Sequence, residues 1–132
     1  MQNFVPGLSE KEVNQLNMLA LAHVGDAVYE LLVRAELCSE KRAAVMQLHR
    51  LTVERVRAEA QAAAAEKLLP SLSEEELAVF KRGRNAKVHS VPHHADAAQY
   101  HAATGLEALF GWLYLQGKTG RLSALFAAIG EG

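Results

Sequence analysis

Met18–Leu37, MLALAHVGDAVYELLVRAEL, is the stretch that decides the fold. It is apolar nearly all round at helical spacing, the pattern of a central helix buried on most faces. His23, Asp26, Glu30 and Arg34 interrupt it, which argues against a membrane span. Outward from it, proline occurs only at 6, 70 and 92, β-branched residues are sparse, and Ala, Leu and Glu are abundant, so the chain reads as all-α. Ser9-Glu10-Lys11-Glu12 is a capping box that starts a first short helix. Ser39 can cap a long third helix that Pro70 ends near Leu69. Ser71 and Ser73, each with a Glu three residues on, predict a fourth helix to about Arg82, broken by Gly83. Gly83 to His94 then reads as loop. A fifth helix spans about Asp96 to Gln116 and stops at Gly117. Thr119 can cap a last one in which Leu122, Leu125, Phe126 and Ile129 share a face.

The chain has 132 residues, 50% apolar and 22% charged, which suits one domain over 1–132 with one core. Cys38 is alone, so no intrachain disulfide forms and a cytoplasmic location fits. The first residues carry no basic and apolar leader pattern. A net charge of −1 argues in aggregate against a nucleic-acid partner, yet the charge is unevenly spread.

Two carboxylates stand in apolar company. Asp26 is one of two Asp residues against 13 Glu, and it lies mid-helix, where Asp has poor propensity and its charge is costly to bury. One reading is a solvated stripe, since His23, Asp26, Glu30 and Arg34 fall at steps of three and four and Glu30 can pair with Arg34. The other starts from Glu107 in ATGLEALFGWLYL, the only acid between Asp96 and Glu131. Gly25 beside Asp26, with Gly105 and Gly111 around Glu107, would let two helices approach closely and put both acids on one divalent cation. Oxygen-only ligation suits Mg²⁺ and phosphoryl or phosphodiester chemistry. Tyr100, Thr104 and Glu107 share a face, so Tyr100 can pack beside such a site, whereas Phe110, Trp112 and Leu113 read as core or dimer interface.

Lys81-Arg82-Gly83-Arg84-Asn85-Ala86-Lys87 places four cations in seven residues, and no acid occurs between Phe80 and Asp96. Lys81 and Arg82 alone would suit a helix C-terminus. Arg84, Asn85 and Lys87 beyond it can present side chains and amides to phosphate oxygens. Arg50, Arg55 and Arg57 could extend that surface, though Glu54 and Glu59 make a mixed solvated face the simpler reading. His89, His93, His94 and His101 with Asp96 match no established zinc spacing; His93 or His94 with Asp96 better fits a cap on the fifth helix or a place near RNA phosphate.

HVGDAVYE resembles the signature helix of the ribonuclease III family, and TGLEALFGWLYLQG its second acidic helix. KRGRNAK between them, and a length without room for a separate double-stranded RNA-binding module, resemble the dimeric Mini-ribonuclease III subclass. The likeness extends from about Leu19 to Gly117. It implies an all-α homodimer with Asp26 and Glu107 as the catalytic, metal-holding carboxylates, using Mg²⁺ with Mn²⁺ as substitute. It further implies double-stranded RNA contacted by Arg82, Arg84, Asn85 and Lys87, and maturation of the large-subunit (23S) ribosomal RNA precursor, with a ribosomal protein as a partner presenting it. Full-length members carry further acids where this chain has Leu19, Ala22 and Thr104, so the acidic set is reduced. Waters and Thr104 are then expected around the metal. That reduction keeps two alternatives open: an inactive RNA-binding or ribosome-associated protein of the same fold, and an all-α metal-dependent nucleotide hydrolase.

Overall fold

The computed structural model describes residues 3–40, 44–86 and 96–130. Seven α-helices and no strand occur among them: α1 (Glu10–Val13), α2 (Met18–Glu40), α3 (Val45–Val56), α4 (Ala58–Leu68), α5 (Glu74–Arg84), α6 (Ala97–Leu115) and α7 (Thr119–Gly130). The all-α expectation is met, and α2 and α6 form the most extensive helix pair.

That pairing follows from glycine. A Cβ on Gly25 would lie 1.6 Å from the Glu107 carbonyl oxygen, and one on Gly111 would lie 2.0 Å from that of Leu21. Only two glycines allow the backbones this close, as in small-residue helix crossings generally. Around the crossing, Leu21, Tyr29, Val33, Leu106, Leu109, Phe110 and Leu113 are almost fully buried. Phe110 and Phe126 each meet the Tyr29 ring edge-on, at 5.3 and 5.9 Å between centroids. Phe110, Trp112 and Leu113 are therefore core; the Trp112 indole donates to Asn14 Oδ1 at 2.9 Å.

The helix starts at Ser9 and Ser73 are capping boxes, each closed by the Glu three residues on, and Asp96 caps α6 by accepting from the Gln99 amide at 3.0 Å. Ser71 is not a cap; its hydroxyl donates to the Leu68 carbonyl. Three expectations are corrected. Ser39 caps nothing, because α2 continues to Glu40 and the Ser39 hydroxyl donates back to the Ala35 carbonyl at 2.7 Å. The long third helix is two: Arg57 is extended (φ −67°, ψ 157°), so α3 lies along α2 while α4 turns to pack on α6, two neighbours one straight rod does not serve. Gly83 does not end α5 but lies buried inside it, a Cβ there meeting Ala108 Cβ at 2.7 Å and Gly105 Cα at 3.1 Å. A smaller shift is that Thr119 is the first residue of α7.

The central helix is less enclosed than its composition suggests. Leu31 is 50% exposed and Leu19 39%, and His23, Asp26 and Ala27 face outward with them. Beside this face runs an apolar groove of about 470 Å³ whose walls include Phe4, Val24, Ala27, Leu31, Tyr114 and Leu122.

Candidate metal and RNA site

Both readings of Asp26 hold in part. It lies on the exposed stripe of α2, where Glu30 and Arg34 pair at 2.6 Å, and the glycine crossing brings it against Glu107 of α6. The Glu107 carboxyl lies within reach of the Asp26 charge, and its hydrogen-bond partner is Gln61 of α4, whose amide Nε2 donates to Glu107 Oε2 at 3.2 Å. Burial, then the Asp26 charge, push the Glu107 pKa up to about 8 against the single opposing hydrogen bond from Gln61. Near neutral pH without a cation, burial and the Asp26 charge therefore favour the neutral form of Glu107. Two carboxylates held together in this way are what a divalent cation relieves.

The donor set fits a hard cation that keeps waters. Among the described residues no group of three or more His, Cys, Asp or Glu converges, so the pair supplies two carboxylates and no nitrogen or sulfur. Glu107 opens onto a cleft of about 570 Å³ walled by Arg57, Gln61, Asp96, Gln99, Tyr100 and Thr104. Tyr100 lines the same cleft as Glu107, on the face its spacing predicts. The Thr104 hydroxyl donates to the Tyr100 carbonyl at 3.1 Å, so toward the cleft its oxygen can only accept.

The cationic segment is partly where the sequence puts it. Arg82 is exposed on α5, Asn85 is the exposed C-cap of that helix, and Lys87 lies outside the described residues, as do His89, His93 and His94. Arg84 was expected beyond the helix end; it is the last residue of α5, half-buried, with its guanidinium 5.7 Å from the Phe80 ring centroid. The cause is Gly83, whose seat between Thr104 and Ala108 carries the helix one residue further and brings its basic end to the turn of α6 that holds Glu107. Arg84 lines a second depression that shares Gln99 with the cleft.

Sequence reasoning missed Gln61, and it named Arg57 only as a possible extension of the basic surface, not as a wall of this cleft or a break between helices. A signal for Gln61 existed: with Ala64, Ala65 and Leu68 it occupies one helical face, and these four are the buried residues of α4. A glutamine at a core position among alanines leaves polar atoms to satisfy. Its Oε1 is buried without a partner among the described residues, at a cost of roughly 1–3 kcal/mol. No comparable signal marks the break at Arg57, which depends on what α3 and α4 pack against.

Comparison with known proteins agrees with this geometry. The pattern of the Ribonuclease III domain matches residues 19–118. Mini-ribonuclease 3 of Symbiobacterium thermophilum is 48% identical over 113 residues, covering 86% of this chain and 87% of that one. Mini-ribonuclease 3 of Enterococcus faecalis is 44% identical over 117 residues, 87% of this chain and 89% of its own. A crystal structure of a Fusobacterium nucleatum protein superposes with a TM-score of 0.80 at 27% identity, covering 89% of this chain and 94% of that one. With two acidic helices crossing on glycines inside the matched span, the chain belongs to the ribonuclease III family of endoribonucleases, in its Mini-ribonuclease 3 branch.

Proposed function

We propose that the chain is a single catalytic domain that cleaves double-stranded RNA in the cytoplasm, with Asp26 and Glu107 as the carboxylates that hold its divalent cation. Mg²⁺ is the natural ion in this reading and Mn²⁺ a substitute. The carrying observation is the half-buried Glu107 carboxyl against Asp26 with one neutral donor, Gln61, and no cationic side chain among their hydrogen-bond or ion-pair partners within the described residues. A fold that needed only stability would do better with a residue other than an acid at 107, half-buried beside the Asp26 charge.

When bound there, the cation supplies a Lewis acid for phosphodiester hydrolysis, favouring hydroxide from water and the charge developing on the leaving 3′ oxygen. Asp26 and Glu107 hold it from two different helices, and the glycine crossing sets their separation. Arg57 is the cationic residue among the cleft's walls, set against Glu59, Asp96 and Glu107, and it is the one that would meet a phosphate there. Arg82, Arg84, Asn85 and Lys87 bind the duplex through phosphates and 2′-hydroxyls, the groups A-form RNA presents across its shallow groove.

The outward face of α2 supports a homodimer. Leu19 and Leu31 are exposed on the helix that carries Asp26, and the neighbouring groove is almost wholly apolar. Two copies joined there would bring two sites to one duplex, one cut per strand. The substrate in this reading is the precursor of large-subunit (23S) ribosomal RNA presented by a ribosomal protein.

Incubation of the purified protein with duplex RNA and Mg²⁺ tests the assignment, beside Asp26→Asn and Glu107→Gln. Cleavage by the parent and none by either variant is expected. Cleavage that both variants retain overturns the site. A parent that binds duplex without cutting it is an RNA-binding protein, and one that consumes free nucleotides is a nucleotide hydrolase.

A further inference from the structure

Gln61 is 2% exposed and is the single polar residue α4 buries; the other buried positions are Ala64, Ala65 and Leu68. Hydrocarbon would suit that packing better than an amide. Its Nε2 group makes two hydrogen bonds, donating to the Val56 carbonyl at 2.7 Å and to Glu107 Oε2 at 3.2 Å. Val56 is the last residue of α3, so one side chain joins the break between α3 and α4 to the acid on α6. The orientation of the amide follows from its partners, because the Val56 carbonyl can only accept. Oε1 is then turned away, buried and without a partner among the described residues. An unpaired amide oxygen beside an acid site is the sort of cost a fold keeps where the other half of the group has a task.

We propose that Gln61 is a positioning residue for this site: its amide holds the Glu107 carboxyl beside Asp26, so that the cation meets a preset pair of acids rather than a free rotor. This rests on the reading of Asp26 and Glu107 as the cation site. Gln61 touches neither RNA nor cation in this role; it acts through Glu107. Ordering the Glu side chain in advance removes a rotamer cost that binding would otherwise meet. A hydrocarbon at 61 would leave both acids in place and lose that order. The effect should therefore fall on cation affinity and on cleavage, and not on RNA affinity in the absence of divalent ions.

The test measures Mg²⁺ affinity by titration calorimetry on the full chain, RNA affinity without divalent ions, single-turnover cleavage and the thermal midpoint. Asp26→Asn is the reference, and Gln61→Leu and Gln61→Met are the variants. A folded Gln61 variant is expected to bind RNA as the parent does, bind Mg²⁺ at least tenfold more weakly, and regain cleavage as Mg²⁺ is raised. A folded variant whose Mg²⁺ affinity lies within twofold of the parent's overturns the proposal and leaves Gln61 as a cap on Val56. The parent supplies a second measurement: the Gln61 side-chain amide resonances should shift on Mg²⁺ addition and stay fixed in Asp26→Asn. Resonances unmoved while Mg²⁺ binds the parent also overturn it. If the parent and Asp26→Asn bind Mg²⁺ equally, the site reading itself has failed and this proposal falls with it.

Discussion

Glu76 and Glu107 are two largely buried carboxylates on neighbouring helices, and the molecule treats them in opposite ways. Glu76 on α5 receives a two-pronged Arg121, with Nε to Oε2 and an NH2 nitrogen to Oε1 both at 2.8 Å, and the Ser73 amide completes its shell. Those bonds hold its pKa below the ordinary value despite burial. Glu107 on α6 faces Asp26 and one neutral amide, and its pKa is pushed up to about 8. The first arrangement ties α5 to α7 and asks for nothing more. The second is left without a cationic partner among the described residues, and that contrast is what supports the proposal of a cation site there.

The widest break between the two is in activity. Asp26→Asn or Glu107→Gln should lower the rate of duplex RNA cleavage by at least about 10³-fold, roughly 4 kcal/mol of transition-state stabilisation. Above pH 8 without a cation, where Glu107 is ionised beside Asp26, the thermal midpoint should stay level or rise because a like-charge contact is removed; a fall of several degrees in calorimetry would contradict the contrast. Gly25→Ala comes next, since its Cβ would overlap the Glu107 carbonyl and the crossing must open. Overpacking of this kind costs roughly 1–3 kcal/mol or more, so a lower denaturation midpoint and weakened cleavage should appear together. Arg121→Met breaks the other pair and strands a buried acid, at about 2 kcal/mol of stability. Cleavage at a temperature where the variant is folded should stay within about twofold of the parent; a large loss would tie Glu76 to the chemistry.

The two acids should also separate by pH. Glu107 titrates near 8 in the folded chain against 4.5 in the unfolded one, so folding takes up a proton across that interval. Stability of the cation-free protein should therefore decline as pH rises from about 5 to 8 in urea titrations. Glu107→Gln should flatten that decline. Glu76 runs the other way, stabilising above the unfolded carboxylate range and ceasing to do so as pH falls through its lowered value. Saturating Mg²⁺ should stabilise the parent more at pH 8 than at pH 6, where it competes with the Glu107 proton. The smallest effect belongs to the basic end of α5. Arg84→Ala and Lys87→Ala should each weaken duplex binding modestly and reduce the slope of log affinity against log salt by about one. An unchanged slope would remove them from the interface.

Much of this was legible in local residues. Ser9 with Glu12 and Ser73 with Glu76 mark helix starts because a cap satisfies amides within one turn. Asp96 and Leu122, Leu125, Phe126 and Ile129 were read correctly for the same reason of short range. Gly83 was misread, because a glycine inside a helix and one that ends it look alike until the neighbouring helix is known. The single long helix expected to Leu69 failed similarly, since neither Arg57 nor its neighbours carry a breaking signal.

The sequence by itself determined the all-helical class, the family likeness and the pair of anomalous acids, because propensity, caps and an acid among apolar residues are properties of a residue and its near neighbours. Only the tertiary structure decided that Gly25 and Gly111 meet, that Glu107 consequently faces Asp26, and that Gln61 comes from a third helix to hold it. Asp26 and Glu107 stand 81 positions apart in the chain. Their electrostatics depend on burial and on partners that local sequence does not encode, and so the raised pKa that marks the site exists only in the fold.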